Sequence, residues 1–140
     1  SGILSNYPPS VVGRPTYPIF VSKVDNDGNE LAGVRLPAVE APVATTTGWA
    51  LRRNGFGEND GGESDGQHIP FAETKAERSA AGDHRLSLEE RYQDHNGYVK
   101  AVTVAAQNLE TERFLLPADV KNYIDAAQAS DVLLAKSSSL

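Results

Sequence analysis

The sequence predicts an α+β fold, in which an N-terminal β-hairpin and long irregular loops precede a C-terminal helical region. Composition changes sharply near the middle of the chain, because residues 1–70 contain 10 of the 12 glycines and 7 of the 8 prolines. Residues 71–140 are instead rich in alanine, glutamate, leucine and lysine, which favour helices. The first half is therefore expected to be extended and turn-rich, and the second half helical.

The hairpin is predicted from two apolar segments that flank a strong turn signal. Residues 17–24 and 30–36 are rich in β-branched and other apolar side chains, and the intervening residues 25–29 read Asp-Asn-Asp-Gly-Asn. A lone hairpin is marginally stable in water, so this one must rest on another element. Residues 37–70 show little regular pattern. We expect one short strand within 43–51 and a long acidic loop around 58–65.

Helix signals are clearer in the second half. A short helix is expected over 74–81, ending near Gly82. Ser87 and Glu90 have capping-box spacing, and the helix that they open should pause near Gly97. Pro117 suits the first turn of a last helix, which should pair with the preceding one as an αα-hairpin. The inward-facing positions are predicted to be Val99, Val102, Ala106 and Leu109 in one helix and Val120, Ile124, Ala127 and Val132 in or after the other.

Composition excludes several classes of function. The chain has 140 residues, a net charge of −6 and no cysteine. Cysteine-based catalysis, disulfides and cysteine-ligated metal sites are ruled out. No basic footprint for nucleic acid is present, and no apolar run approaches the roughly 18 residues of a membrane span. No glycine-rich phosphate loop occurs, so no cofactor is expected. The length suits a single domain, 1–140, or a fragment of a larger protein.

One catalytic motif occurs literally, a G-x-S-x-G centred on Ser64. Its context argues against a nucleophile elbow, since no buried strand precedes it and Pro70 soon follows it. A Ser–His–Asp set would also need a histidine and an acid nearby. The histidines are His68, His84 and His95, and the candidate acids are Asp83 and Asp94. Their spacing favours ordinary surface or capping roles, and we assign no catalytic residue.

Two acidic segments have some of the character of cation sites. Residues 25–30 lack the glycine register of a calcium loop, and a hairpin turn explains them equally well. The second segment contains Asp60, Glu63 and Asp65. We assign no metal ligand and no cofactor-binding residue. Trp49, the single tryptophan, lies close to Arg52 and Arg53 and could anchor an interface, but a core position is the favoured interpretation.

Several blocks of sequence, in this order, resemble the C-terminal segment of a family of large bacterial proteins that contain an alpha/beta hydrolase domain. The resemblance extends from about residue 14 to residue 131. The blocks are YPIFV (17–21), VDNDGNELAGVRLP (24–37), TGWALR (47–52), GFG (55–57), IPFAETKAER (69–78), LSLEERY (86–92) and GYV (97–99).

The resemblance implies an esterase-like hydrolase whose nucleophile and catalytic histidine lie upstream of this segment. Ser64 then falls in a variable loop and inherits no catalytic role. The chain would be an accessory region that covers a hydrolase core or shapes its substrate pocket, and that core, in the same parent chain or as a separate chain, would be its partner. The resemblance leaves a periplasmic or secreted location open. Two alternatives remain: a stand-alone binding module with a cation-binding loop, and a small hydrolase that uses Ser64.

Overall fold

Five helices and four short strands follow one another along the part of the chain that the computed structural model describes, residues 20–55, 61–62 and 66–134. This content confirms the α+β class. The helices are α1 (Pro37–Glu40), α2 (Lys75–Ala81), α3 (Leu88–Tyr92), α4 (His95–Thr111) and α5 (Pro117–Ala129). The strands are β1 (Ala44–Thr47), β2 (Ala50–Leu51), β3 (Gly61–Gly62) and β4 (Gln67–Pro70).

The N-terminal hairpin is present in a reduced form. Its ladder consists of one isolated bridge between Val24 and Glu30, although longer strands were expected on both sides of the turn. The chain then bends at Gly33, whose φ is +82°. Arg35 folds back and donates to the main-chain oxygen of Glu30 at 2.5 Å. This tether prevents the second strand from running alongside the first. Residues 17–19 of the predicted first strand lie outside the described residues.

The strands form two separate two-stranded antiparallel sheets, β1 with β4 and β2 with β3. Ala44 lies opposite Pro70 and Thr47 opposite Gln67. The prediction of one strand within 43–51 was wrong, because that segment divides into β1 and β2. The stretch 37–70, expected to be largely irregular, also contains α1, β4 and, within the expected acidic loop, β3. Short strands of this kind gain their hydrogen bonds from a partner far along the chain, so no local pattern marks them.

Helices α2 and α3 begin where their caps predict. The hydroxyl of Thr74 accepts from the N–H of Glu77, and the Ser87 hydroxyl accepts from the N–H of Glu90. In both cases the glutamate side chain returns to the cap's own N–H, which completes a capping box. Helix α2 ends at Ala81, as expected, and Gly82 caps it in the left-handed conformation.

The carboxylate of Glu90 also joins α3 to α2. It accepts from Arg78 Nε at 2.7 Å and from Arg78 Nη2 at 3.2 Å. Hydrogen bonds from Arg78 and from the N–H of Ser87 lower the pKa of Glu90 from its ordinary value of 4.5 to about 2. The ionised form is therefore the one that the fold stabilises.

We expect the variant Glu90→Gln to change how stability depends on pH. Because the folded-state pKa is lowered, the ionised carboxylate stabilises the fold fully above pH 4.5, and this contribution is lost as the pH falls towards 2. The variant should melt at a lower temperature than the wild type at pH 7, and the two melting temperatures should converge near pH 2. The control is Glu110→Gln, because Glu110 lies on α4 and forms none of the ion pairs of the described residues. It should change the free energy of unfolding by less than about 0.5 kcal/mol at either pH. A difference between wild type and Glu90→Gln that stays constant with pH would contradict this account.

A strained corner separates α3 from α4. The pause was predicted near Gly97, but α3 ends at Tyr92 and α4 begins at His95. Gln93 has φ +69° and ψ −51°, and the N–H of Asp94 donates to the Tyr92 carbonyl at 2.8 Å. These values define a tight γ-turn of the positive-φ kind, which is rare and strained. The side chain of Asp94 then caps α4 by accepting from the N–H of Gly97.

Helices α4 and α5 form the predicted αα-hairpin, but the core that they share is thin. Apart from Pro37 and Pro42, nine apolar residues are buried among the described residues, and five of them are alanines. Of the predicted inward positions, Val102, Ala106, Leu109, Val120 and Ala127 are buried, whereas Val99, Ile124 and Val132 are only partly buried. The nine buried apolar residues are Ala41, Ala44, Phe71, Val102, Ala105, Ala106, Leu109, Val120 and Ala127.

Candidate functional site

The acidic turn at residues 25–30 is held by the protein's own donors. Asp25 Oδ1 accepts from the N–H groups of Asp27 and Asn29, both at 2.9 Å, and its other oxygen accepts from Arg35 at 2.9 Å. Asp27 is paired through both carboxylate oxygens with Arg91. The carboxylate oxygens that a calcium ion would need are thus engaged with N–H groups and arginines.

Electrostatics reinforce this internal use. Burial raises the pKa of Asp25, but hydrogen bonds from Arg35 and from the N–H groups of Asn29 and Asp27 outweigh it, and the net shift is downward. Burial by itself would lower the pKa of Arg35, but the hydrogen bonds and charges of Asp25 and Glu40 outweigh it. The net effect is a raised pKa for Arg35. Both members of the pair therefore remain charged over the ordinary pH range.

A stacked cluster links this turn to the sheets and to α3. Two guanidinium groups lie over the buried ring of Phe71, that of Arg91 4.3 Å and that of Arg85 5.0 Å from the ring centroid. Arg85 donates to the Thr45 hydroxyl at 2.8 Å and is paired with Asp83. Hydrogen bonds from Arg85 lower the pKa of Asp83 well below its usual range. Because both arginines are paired and stacked, the cluster serves to join elements.

The candidate acids and histidines have separate structural roles. His68 lies on β4 with its Nδ1 3.2 Å from the Thr46 hydroxyl, and His95 begins α4 with its Nδ1 2.9 Å from the Val132 carbonyl. His84 is exposed. Asp83 is paired with Arg85, and Asp94 caps α4. Ser64 lies outside the described residues, as do Asp60, Glu63 and Asp65.

Trp49 connects the hairpin turn to the sheets. Its indole N–H donates to Glu30 Oε1 at 2.9 Å, and its carbonyl accepts from the Thr47 hydroxyl at 2.6 Å. The side chain is half-buried, so the expectation of a packed position is closer to the structure than that of a ligand clamp. Arg52 is exposed beside it.

A groove of about 490 Å³ separates the segment after the hairpin turn from the C-terminal half of α4. Val34, Leu109 and Phe114 provide apolar lining, and Glu40 and Glu112 lie among the polar lining residues. Phe114 and Val34 remain 58% and 46% exposed.

The described ranges 20–55, 61–62 and 66–134 contain neither a cluster of metal ligands nor a membrane-spanning helix. No three histidine, aspartate or glutamate side chains come together there as ligands for a metal. No helix in these ranges combines the length and apolarity needed to cross a bilayer.

The family model described as an alpha/beta hydrolase domain matches residues 7–125. This is most of the chain. The chain belongs to this family. The match to this family model agrees with the resemblance to hydrolases that the sequence blocks indicate. Comparison with curated proteins gave no match, and comparison with solved structures gave none either.

The groove is the feature of this family member that sequence reasoning missed. The sequence Leu115-Leu116-Pro117, directly after Phe114, indicates only a connector between two helices. Its run of apolar residues was a usable signal, because an exposed interhelical turn is normally polar. The other half of the groove depends on Gly33 and Arg35 redirecting the chain after the hairpin turn, which no local pattern revealed.

Proposed function

We propose that this chain is an accessory region of an alpha/beta hydrolase, which packs against a hydrolase core and has no catalytic triad of its own. That core belongs either to the same parent chain or to a separate one. Membership of the hydrolase domain family supports the enzyme class. The imbalance between a thin core and a large amount of exposed apolar surface is the observation that carries the accessory role.

Apart from Pro37 and Pro42, the buried apolar set contains five alanines and only four larger side chains among the described residues. Burial contributes about 25 cal/mol per Å² of apolar area, so small side chains stabilise a fold weakly. Thirteen large apolar side chains of the described residues are exposed, and Phe20, Leu116 and Phe114 are the most exposed of them, at 88%, 68% and 58%. Packing on a second surface would bury such side chains and supply the missing stability.

The described candidates for chemistry support the same proposal. Each histidine or acid that could serve a triad is exposed, bound to a main-chain group or paired with arginine, as described above. A catalytic histidine needs a nucleophile on one side and an orienting acid on the other. Neither His68 nor His95 has an acid hydrogen-bonded to its ring among the described residues.

The test is the intact mass of the protein from its native source under denaturing conditions, followed by native mass spectrometry. We expect either a mass far above 15.0 kDa or a noncovalent partner chain that carries a catalytic serine and histidine. A 15.0 kDa species with no partner would overturn the proposal. A melting temperature that then rises with calcium would indicate a stand-alone binding module instead. Ester turnover lost in Ser64→Ala would indicate a small hydrolase.

A further inference from the structure

The groove beside α4 presents a fixed apolar surface. The N–H of Phe114 donates to the Leu109 carbonyl at 2.8 Å, and the N–H of Arg113 donates to the Glu110 carbonyl at 2.9 Å. This pair of bonds, with Arg113 at φ +65°, forms a Schellman motif at the end of α4. The motif brings Phe114 back over Leu109, which it normally contacts. The main chain at Phe114 is thus fixed by the end of α4.

The charges around this surface are unbalanced. The guanidinium of Arg35 is paired with Asp25 at 2.9 Å and with Glu40 at 3.0 Å, and it also donates to two carbonyls. Its positive charge is therefore already neutralised within the protein. Glu112 lies exposed on the groove with no positive partner among the described residues. Apolar lining is thus bordered by surplus negative charge.

We infer that this groove binds a segment of the hydrolase core that presents a large apolar side chain next to a lysine or arginine. The apolar side chain lies between Val34 and Phe114, and the basic group reaches Glu112. The inference rests on the proposed function, because it assigns one docking point for the core that the accessory region covers. Complementary charge fixes the register of such an interface and disfavours acidic partners.

The first experiment places the photo-cross-linking residue p-benzoylphenylalanine at position 114 in the protein produced in its native cell. Matched proteins carry it at Leu116 and at Ile69, which are exposed apolar positions outside the groove lining. Cross-linked peptides are then sequenced. We expect the probe at position 114 to link to a hydrolase-core peptide that contains a lysine or arginine.

The three positions separate the two proposals. If the probes at 116 or 69 reach a hydrolase core and the probe at 114 does not, the groove inference fails and the accessory role stands. If the probe at 114 links to a second copy of this chain, the groove inference fails as well. If no probe reaches a hydrolase core, both proposals fail.

Charge reversal gives a second test with a matched control. Glu112→Lys should reduce the cross-linking yield of the 114 probe by about tenfold, because it places like charges together. Glu110→Lys lies on the same helical turn outside the groove lining and should leave the yield within about twofold. Lysine near a helix C-terminus is favourable, so neither variant should lower the melting temperature. Equal yields in the two variants would overturn the role of Glu112.

Discussion

The variant Gly97→Ala is expected to lower the free energy of unfolding by at least about 3 kcal/mol. A Cβ atom at this position would overlap the carbonyl oxygen of Tyr92 and lie 2.9 Å from its carbonyl carbon. That carbonyl cannot move freely, because it accepts from the N–H of Asp94 in the γ-turn at Gln93. Relief of the overlap requires opening the corner between α3 and α4. Urea unfolding, followed by the fluorescence of Trp49 and by circular dichroism, measures the change.

Gly48→Ala is the matched control for Gly97→Ala. A Cβ at Gly48 meets no atom within 4 Å, so the same substitution should change stability by less than about 0.5 kcal/mol. Helix propensity alone predicts the opposite sign for Gly97, because alanine is favoured over glycine within a helix by about 1 kcal/mol. Stabilisation by Gly97→Ala would show that the corner between α3 and α4 opens easily and that the close approach of Gly97 to the Tyr92 carbonyl is not required.

The second large effect is expected for Asn29→Leu. Asn29 is fully buried, and its side chain pairs with the edge of β1 as another strand would. Its Nδ2 donates to the Ala44 carbonyl at 3.2 Å, and its Oδ1 accepts from the Thr46 N–H at 2.7 Å. Leucine has a similar size but leaves both main-chain groups unpaired. Each such group costs about 1–3 kcal/mol, so a loss of about 2–6 kcal/mol is expected in thermal or urea unfolding.

Asn26→Leu, in the same turn but exposed, is the control and should change stability by less than about 1 kcal/mol. Asn29→Asp gives a sharper test. It removes only the donor and faces the Ala44 carbonyl with a carboxylate oxygen. Burial without a cation should raise the pKa of the new carboxyl, so its destabilising effect should lessen as the pH falls and the carboxyl becomes a donor. If Asn29→Leu and Asn29→Asp were both as stable as the control Asn26→Leu, the pairing of Asn29 with β1 would have no energetic role.

Local signals were sufficient for the helical half of the fold. Capping by Ser87, termination at Gly82 and the start of α5 at Pro117 each depend on groups within four residues of one another. The apolar spacing of α4 was predicted correctly for the same reason, since helical neighbours are close in sequence. The break before α4 was misplaced because a γ-turn at Gln93 carries no residue signature.

Local signals were insufficient for the first half and for the candidate site. Strand β4 exists only because β1 supplies its partners, and Asn29 is read from sequence as a turn residue although it completes the edge of β1. The groove depends on two segments far apart in the chain, residues 33–40 and the C-terminal half of α4 with its following turn. To predict the groove from sequence, one would need to know both the bend at Gly33 and the Schellman motif before Phe114.

The sequence by itself determined the α+β class, the helices with their caps and the hydrolase resemblance, because these follow from neighbouring residues or from ordered blocks. The tertiary structure decided which polar groups are paired within the protein. Asp25, Asp27 and Asp83 could be ligands or catalytic acids in the sequence, but the fold brings an arginine to each of them. A carboxylate's role depends on the charges that lie within a few ångströms. Arg85 is a near neighbour of Asp83 in the sequence, but Arg91 lies 64 residues from Asp27, and only the tertiary structure brings those two together.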